Sequence, residues 1–288
     1  MVQKKNRTQR IDQAKINQAL ENIYISPLEK CNLACQFCYT HKTNSILSPQ
    51  TIKKFINRYK KHVNLKSIIF CGGEVFTLPK FVDLVNYCLK QGIFTTIITN
   101  GTIDKLDKIN DPKNCQLLVS FDGPKSVHDQ NRGLGNFDKS KKFVHHALAL
   151  GFPVEIMYLI SPKSFNKKLN ICKLKNNFIT IKTSAFDSSL NLPSLTKSQI
   201  IKIKKPFDFG CFQLSLQSNG SITACCESSK ILANMHDPIK KIIDSFCQTL
   251  ETCLKCQKCQ GCTSPEFLCG YIKELNVNNC QDVVKLFS

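Results

Sequence analysis

Apolar positions along the chain follow two alternating periods, and that alternation predicts the fold class. Short β-branched runs read as strands at Ile23–Ser26, Ser67–Cys71, Ile93–Thr99, Cys115–Phe121, Val154–Ile160 and Phe178–Lys182. Between them the spacing turns helical. Ser48 caps a helix whose first position is Pro49, and Ile52, Phe55, Ile56 and Tyr59 follow at i, i+3, i+4 and i+7. Phe81, Leu84, Val85 and Cys88 repeat the pattern ahead of Gly92, and another helix runs from Phe137 to Leu150 and stops at Gly151. Six strand–helix units in series predict an α/β fold with a parallel sheet, a partial (β/α)6 barrel if each crossover is right-handed. Six units are too few to close an eight-stranded barrel.

The pattern fails at both ends. Residues 1–21 are polar and basic with a weak helical spacing at Ile11, Ala14 and Leu20, which reads as an N-terminal extension, either a docking arm or a frayed terminus. Residues 22–205 form the predicted barrel. Residues 206–288 collect Cys211, Cys225, Cys226, Cys253, Cys256, Cys259, Cys262, Cys269 and Cys280 with few strand or helix patterns among them. That segment reads as a small, loop-rich, cysteine-rich C-terminal domain held together by metal.

Composition narrows the chemistry. The chain has 17 cysteines in 288 residues, and its basic start is followed by no apolar segment that would read as a secretory signal. No apolar run reaches the ~18 residues of a membrane span. A cytoplasmic location is therefore expected, where clustered cysteines serve metal or redox chemistry rather than disulfides. The net charge of +19 raises the possibility of a nucleic-acid partner. Only Arg7, Arg10, Arg58 and Arg132 among the 40 basic residues are arginine, however. Diffuse lysine lacks the forked geometry of base or phosphate recognition and reads as a solvated surface.

The most informative cysteines are the first three. Cys31, Cys35 and Cys38 stand at x3 and x2 spacing just after the first strand. Three soft donors on one loop suit an iron–sulfur cluster. A [4Fe–4S] cube usually takes four cysteines, so three leave one iron open to a small ligand; His41 would close it if it served as a fourth ligand. Further short motifs end the next strands. They are Cys71-Gly72-Gly73-Glu74, Thr99-Asn100-Gly101, Ser120-Phe121-Asp122-Gly123 and His128-Asp129-Gln130-Asn131-Arg132-Gly133. Read alone, Cys71 is a buried strand residue, Gly72 and Gly73 form a turn, Asp122 caps a turn and His128 is structural.

Taken together, these motifs resemble the radical SAM superfamily signature over roughly residues 22–185, including the aromatic Phe37 before the last cysteine of the triplet. The resemblance implies that Cys31, Cys35 and Cys38 bind a [4Fe–4S] cluster whose open iron chelates S-adenosylmethionine (SAM). It further implies that Gly72, Gly73 and Glu74 meet the methionine ammonium and that Phe37 lies near adenine. Ser120 and Asn100 would reach the ribose, and Arg132 would pair with the SAM carboxylate. The implied chemistry is reductive cleavage of SAM to a 5′-deoxyadenosyl radical that abstracts hydrogen from a substrate. An external electron donor such as ferredoxin or flavodoxin would supply the electron.

The later cysteines are similar to the SPASM extension of peptide-modifying radical SAM enzymes, through Gly220-x4-Cys225 and Cys253-x2-Cys256-x5-Cys262. This resemblance implies one or two auxiliary [4Fe–4S] clusters, with ligands among Cys211, Cys225, Cys253, Cys256, Cys259, Cys262, Cys269 and Cys280. Two positions depart from the pattern. Glu266 stands where the family has another cysteine, and Cys226 replaces an aspartate typical of sulfatase-maturing relatives, which argues against that activity. Zinc on Cys211, Cys225, Cys253 and Cys256 is the rival, although a zinc ribbon spaces its CxxC pairs by ~15–20 residues. Cys88, Cys115, Cys172 and Cys247 read as small packing residues. By analogy with the family, the substrate is a peptide or protein side chain. The alternatives are an enzyme acting on RNA or a small metabolite, and a non-catalytic electron-transfer or zinc-structural protein.

Overall fold

A computed structural model describes residues 13–35, 38, 40, 42–160, 178–181, 213–224, 226 and 231–255. The elements in chain order begin with α1 (Gln13–Glu21), β1 (Asn22–Ile25), α2 (Pro49–Tyr59), β2 (Ser67–Phe70), α3 (Phe81–Lys90) and β3 (Phe94–Thr99). They continue with β4 (Cys115–Phe121), α4 (Lys125–Arg132), α5 (Asn136–Ala149), β5 (Val154–Ile160) and β6 (Phe178–Ile181). Three short strands follow, β7 (Ser215–Leu216), β8 (Ser221–Thr223) and β9 (Ala233–Asn234), and then α6 (Ile239–Lys255). Among the described residues they form one open nine-stranded sheet in the order β6-β5-β4-β3-β2-β1-β7-β8-β9. The strands from β6 through β1 to β7 pair in parallel, and the β7–β8 and β8–β9 pairs are antiparallel. The α/β architecture with an unclosed, mainly parallel sheet is the one expected from the apolar pattern.

Local chemistry explains why the helices form where they do. Ser48 Oγ accepts a hydrogen bond from Thr51 N at 3.1 Å, capping α2, and Pro49 fills the first turn. The four predicted apolar positions of α2 are all buried. α3 packs its Phe81 ring edge-on against Phe70 of β2 at 5.3 Å, and Phe76 links Phe81 to Phe143 of α5. Strand residues facing the helices, such as Ile23, Ile25, Phe70, Ile97, Leu117, Val119 and Ile156, merge into one apolar core.

Both ends differ from the sequence reading. The N-terminal segment enters the core through α1, whose Ile16, Ala19 and Leu20 are buried against β1 and α6. The Tyr59 hydroxyl donates to Leu20 O at 3.0 Å and ties α1 to α2. Among the described side chains the buried stripe is Ile16, Ala19 and Leu20; Ile11 and the side chain of Ala14 lie outside the described residues. The cysteine-rich segment contributes β7 directly beside β1, through the register Tyr24↔Ser215 and Ile25↔Leu216. It also contains α6, a helix not foreseen among the cysteines, which buries Ile239, Ile242 and Phe246 at i, i+3 and i+7. Among the described residues, no helix is long and apolar enough to cross a membrane.

Candidate active site

The carboxyl ends of β1, β2, β3 and β4 lie side by side, the place where open parallel sheets hold ligands. β1 leads into the cysteine loop and β2 into Cys71-Gly72-Gly73-Glu74, and the two segments are bonded backbone to backbone. Gly73 N donates to Leu28 O at 2.9 Å and Glu74 N to Lys30 O at 3.1 Å. A Cβ on Gly73 would sit 2.1 Å from Lys30 O, and one on Gly72, whose φ is +113°, would sit 2.4 Å from Ser26 Oγ. Contact with the cysteine loop's stem therefore accounts for glycine at both positions, where the sequence had pointed to close approach of a ligand. The adjacent Cys71 is half-buried just beyond β2, not a fully buried strand residue.

Glu74 is fully enclosed. It has no exposed surface, and all its bonds are internal: Oε1 accepts from Phe76 N at 3.2 Å and Thr99 Oγ1 at 2.9 Å, and Oε2 accepts from Asn100 N at 2.8 Å. Burial pushes its carboxyl above the usual carboxylate range, opposed by those same hydrogen bonds. So enclosed, the side chain braces the β2 and β3 ends together.

The β3 end reaches the cysteine loop through a small amide and hydroxyl network. Asn100 Nδ2 lies 3.8 Å from Cys31 Sγ and donates to Asn32 Oδ1 at 3.0 Å. Asn32 Nδ2 donates to Thr102 Oγ1 at 2.8 Å, and Thr102 N donates back to Asn100 Oδ1 at 2.9 Å. Leu33 N donates to Cys31 Sγ at 3.4 Å. Asn32 and Thr102 were missed in the sequence, although each flanks a motif residue. Glu29 was missed as well: it accepts from Thr43 N at 3.3 Å and from Ser218 Oγ at 3.2 Å, joining both arms of the cysteine loop to the β7–β8 turn.

Cys31, Cys35 and Cys38 are all half-buried free thiols, with Cys38 N donating to Cys35 O at 3.2 Å across a turn. Burial raises the Cys31 thiol's pKa and pushes that of Cys35 up to about 11, the latter countered by Arg132. Among the described residues no three His, Cys, Asp or Glu side chains converge as they would on a single ion. Three soft donors on one loop, with N–H groups directed at Cys31 sulfur, fit a cluster that spreads its thiolates over several irons.

Arg132 and Asp122 form a pair that the sequence had assigned to separate tasks. Arg132 Nε donates to both Asp122 oxygens at 2.9 Å, and Nη2 donates to Oδ1 at 2.8 Å. The Asp122 side chain is fully buried and that of Arg132 is 10% exposed. Asp122 thus holds the guanidinium through Nε and Nη2 rather than capping a turn. His128 is fully buried between Phe121 and Phe137, at ring distances of 5.2 and 5.6 Å, and neither ring nitrogen has a partner. Burial pushes its pKa down to about 4, in keeping with a structural, neutral imidazole. Ser120 and Asn100 are nearly buried. Phe37, Cys211, Cys225, Cys256, Cys259, Cys262, Cys269 and Cys280 lie outside the described residues, as do His41, Cys172 and the side chain of Cys253. Cys88 and Cys115 are packing residues as expected, and Cys247 is half-buried against the core.

Strand register shows which residues share the face turned away from the helices. Ser215, Tyr24, Ile69, Thr96 and Gln116 form one rung across five strands. The next rung toward the carboxyl end carries Ile98, Leu118 and Glu155, and the one above it carries Ser120 and Met157. Tyr24, Leu118 and Leu159 are buried yet lie outside the helix-side core cluster. The inner face is thus a separate surface, richer in polar groups, beneath the motif-bearing loops.

The sequence pattern of the radical SAM superfamily matches residues 25–174, more than half of the chain, and the chain belongs to that superfamily. It is 33% identical over 102 residues to the S-adenosylmethionine-dependent nucleotide dehydratase of Selenomonas ruminantium, which covers 35% of each protein. It is 24% identical over 294 residues to the radical SAM cyclopropyl synthase TigE of Paramaledivibacter caminithermalis, covering 79% of this chain and 62% of that protein. The chain thus spans about a third to just under two thirds of the length of these relatives. The fold is similar to that of native anSMEcpe solved with bound AdoMet and Kp18Cys peptide, with a TM-score of 0.65, 18% identity and coverage of 86% and 88% of the two chains. Membership implies a [4Fe–4S] cluster and SAM.

Proposed function

We propose that this radical SAM enzyme acts on a peptide or protein side chain, with Cys31, Cys35 and Cys38 as the ligands of the SAM-binding cluster. The observation that carries the reading is the bonded assembly at the strand ends. Gly72 and Gly73 seat the stem of the cysteine loop, and Asn100 and Leu33 direct N–H groups at Cys31 sulfur. When bound, the cluster and SAM supply reductive carbon–sulfur cleavage, giving methionine and a 5′-deoxyadenosyl radical. The protein's part is to hold and orient. Backbone groups of Gly72 and Gly73, with Ser120 and Asn100 from β4 and β3, border the space where SAM would lie, and Phe37 would lie against adenine. Arg132, fixed by Asp122, presents its positive charge to that space. Glu74 acts at one remove, by fixing Asn100 N and Thr99.

Two features favour a peptide substrate: the SPASM-like cysteine spacing, and a fold shared with an enzyme solved with a bound peptide. Auxiliary clusters on the C-terminal cysteines belong to the same reading, as does an acidic electron donor drawn to a surface with a net charge of +19. A nucleotide or other small metabolite is the second reading, favoured by the 33% identity to the nucleotide dehydratase.

Anaerobic reconstitution tests the proposal. Wild type is expected to hold about 8–12 irons and to release 5′-deoxyadenosine from SAM under reduction, whereas a Cys31, Cys35 and Cys38 triple alanine variant loses about four irons and that activity. Unchanged iron in the variant would remove the assignment, and zinc in the wild type would replace the auxiliary clusters. Acceleration of deoxyadenosine release by nucleotides but not by peptides would select the second reading.

A further inference from the structure

The inner face of the sheet carries one acidic strand residue with no role so far. Glu155 is the second residue of β5, and its register partner Leu118 lies on the same face as Ile98. Its neighbours Val154 and Ile156 point into the helix-side core, so the glutamate points the other way. It is half-buried, and among the described residues it has neither an ion-pair nor a hydrogen-bond partner. That is unusual in a chain with 40 basic and 21 acidic residues, where a half-buried carboxylate would ordinarily find a lysine. Its height matters too. Glu155 lies two residues below Met157, which pairs with Ser120 in the rung next to the SAM-binding loops. At ~3.3 Å per residue of parallel strand, the separation is about 7 Å. A substrate side chain entering beneath the reacting carbon of SAM would meet this layer.

We propose that Glu155 is a specificity-determining residue of the substrate cavity and accepts a cationic side chain, a lysine ammonium or an arginine guanidinium, of the peptide. This deepens the peptide reading and rests on it. The hydrophobic neighbours Ile98, Leu118 and Met157 suit the methylene stem of such a side chain, and the carboxylate takes its charged head. The polar rung below, Thr96 with Gln116, is already bonded to itself through Thr96 Oγ1 and Gln116 Oε1 at 3.2 Å. Among the described residues, Glu155 is therefore an acceptor of this inner surface that has no partner.

The test uses the full-length reconstituted enzyme and synthetic peptides of one Gly/Ser/Ala frame that differ only in a central Lys, Arg, Gln, Leu or Glu. The readout is peptide-dependent 5′-deoxyadenosine release, taken as ratios between peptides within each variant so that cluster loading cancels. Wild type is expected to favour Lys or Arg over Leu by about tenfold, the scale of a charge-assisted hydrogen bond. Glu155→Gln is expected to bring that ratio near one, and Glu155→Lys to shift preference to the Glu-centred peptide. The inference is overturned if wild type shows no preference, if Glu155→Gln keeps it, or if the Gln-centred peptide equals the Lys-centred one. Absence of deoxyadenosine in every arm would instead overturn the SAM reading, and this inference with it.

Discussion

The two faces of the sheet obey different rules. The helix side is mainly apolar: Phe55, Phe70, Phe76, Phe81, Phe121 and Phe143 are nearly or fully buried there, and Thr95 and Thr99 of β3 are the polar exceptions. The inner side carries Ser215, Thr96, Gln116, Glu155 and Ser120 among its apolar residues, and its buried Tyr24, Leu118 and Leu159 stand apart from the main core. A face that only stabilises has no use for polar groups that must be paired at a cost. Polar residues on a largely covered face indicate a surface shaped for a ligand.

That separation can be broken first at Phe70, fully buried against Phe81. Phe70→Ala is expected to cost about 3–5 kcal/mol in urea unfolding, from lost transfer energy and the cavity left behind. On the inner face Thr96→Val removes a single hydrogen bond to Gln116 and is expected to cost about 1 kcal/mol. Equal losses at the two sites would mean that the inner face is core as well.

Next comes His128, which sits on the helix side behind the site. Its pKa, pushed down to about 4 by burial against the usual 6.5, lets the folded protein resist protonation while the unfolded chain accepts it. Its contribution is therefore full above pH 6.5 and is lost as the pH falls from there toward 4, by about 3 kcal/mol at most. Asp122 works against this shift and Arg132 adds to it. His128→Leu, compared with wild type at pH 7 and pH 4.5 by urea unfolding, is expected to be the less acid-sensitive protein. Identical pH dependence would show that the imidazole is already solvated.

Much of this was legible in the sequence. The strands lie within a residue of their predicted ends because β-branched runs and glycine stops mark them locally. The cysteine loop and the strand-end motifs were found for the same reason. What escaped depended on three-dimensional partners. The stripe of α6 obeys the same i, i+3, i+7 rule as α2, but the surrounding cysteines drew the reading toward loops. Glycine at positions 72 and 73 signals close approach without saying to what, and here the neighbours are Ser26 and the carbonyls of Leu28 and Lys30. The Asp122–Arg132 pair spans a turn and a helix, so spacing along the chain did not reveal it. Glu155 looked like any strand residue until register placed it under Ser120 and beside Leu118.

Glu74 sharpens the comparison further, because it is a buried charge on the site's own scaffold. Its two oxygens accept three hydrogen bonds, from Phe76 N, Thr99 Oγ1 and Asn100 N. Glu74→Gln keeps the shape but offers one oxygen and one NH2, so at least one of the three donors loses its acceptor. The expected cost is about 1–3 kcal/mol of stability, read by urea unfolding. The accompanying effect falls on the site: with Asn100 N released, the Asn100 amide no longer lies fixed beside Cys31 and Asn32. SAM binding by the reconstituted enzyme is then expected to weaken along with stability, whereas Glu74→Asp, which keeps the charge on a shorter arm, should weaken both less. If SAM binding fell sharply in Glu74→Gln with no loss of stability, Glu74 would be a direct ligand contact after all, and the brace assigned to it here would be wrong.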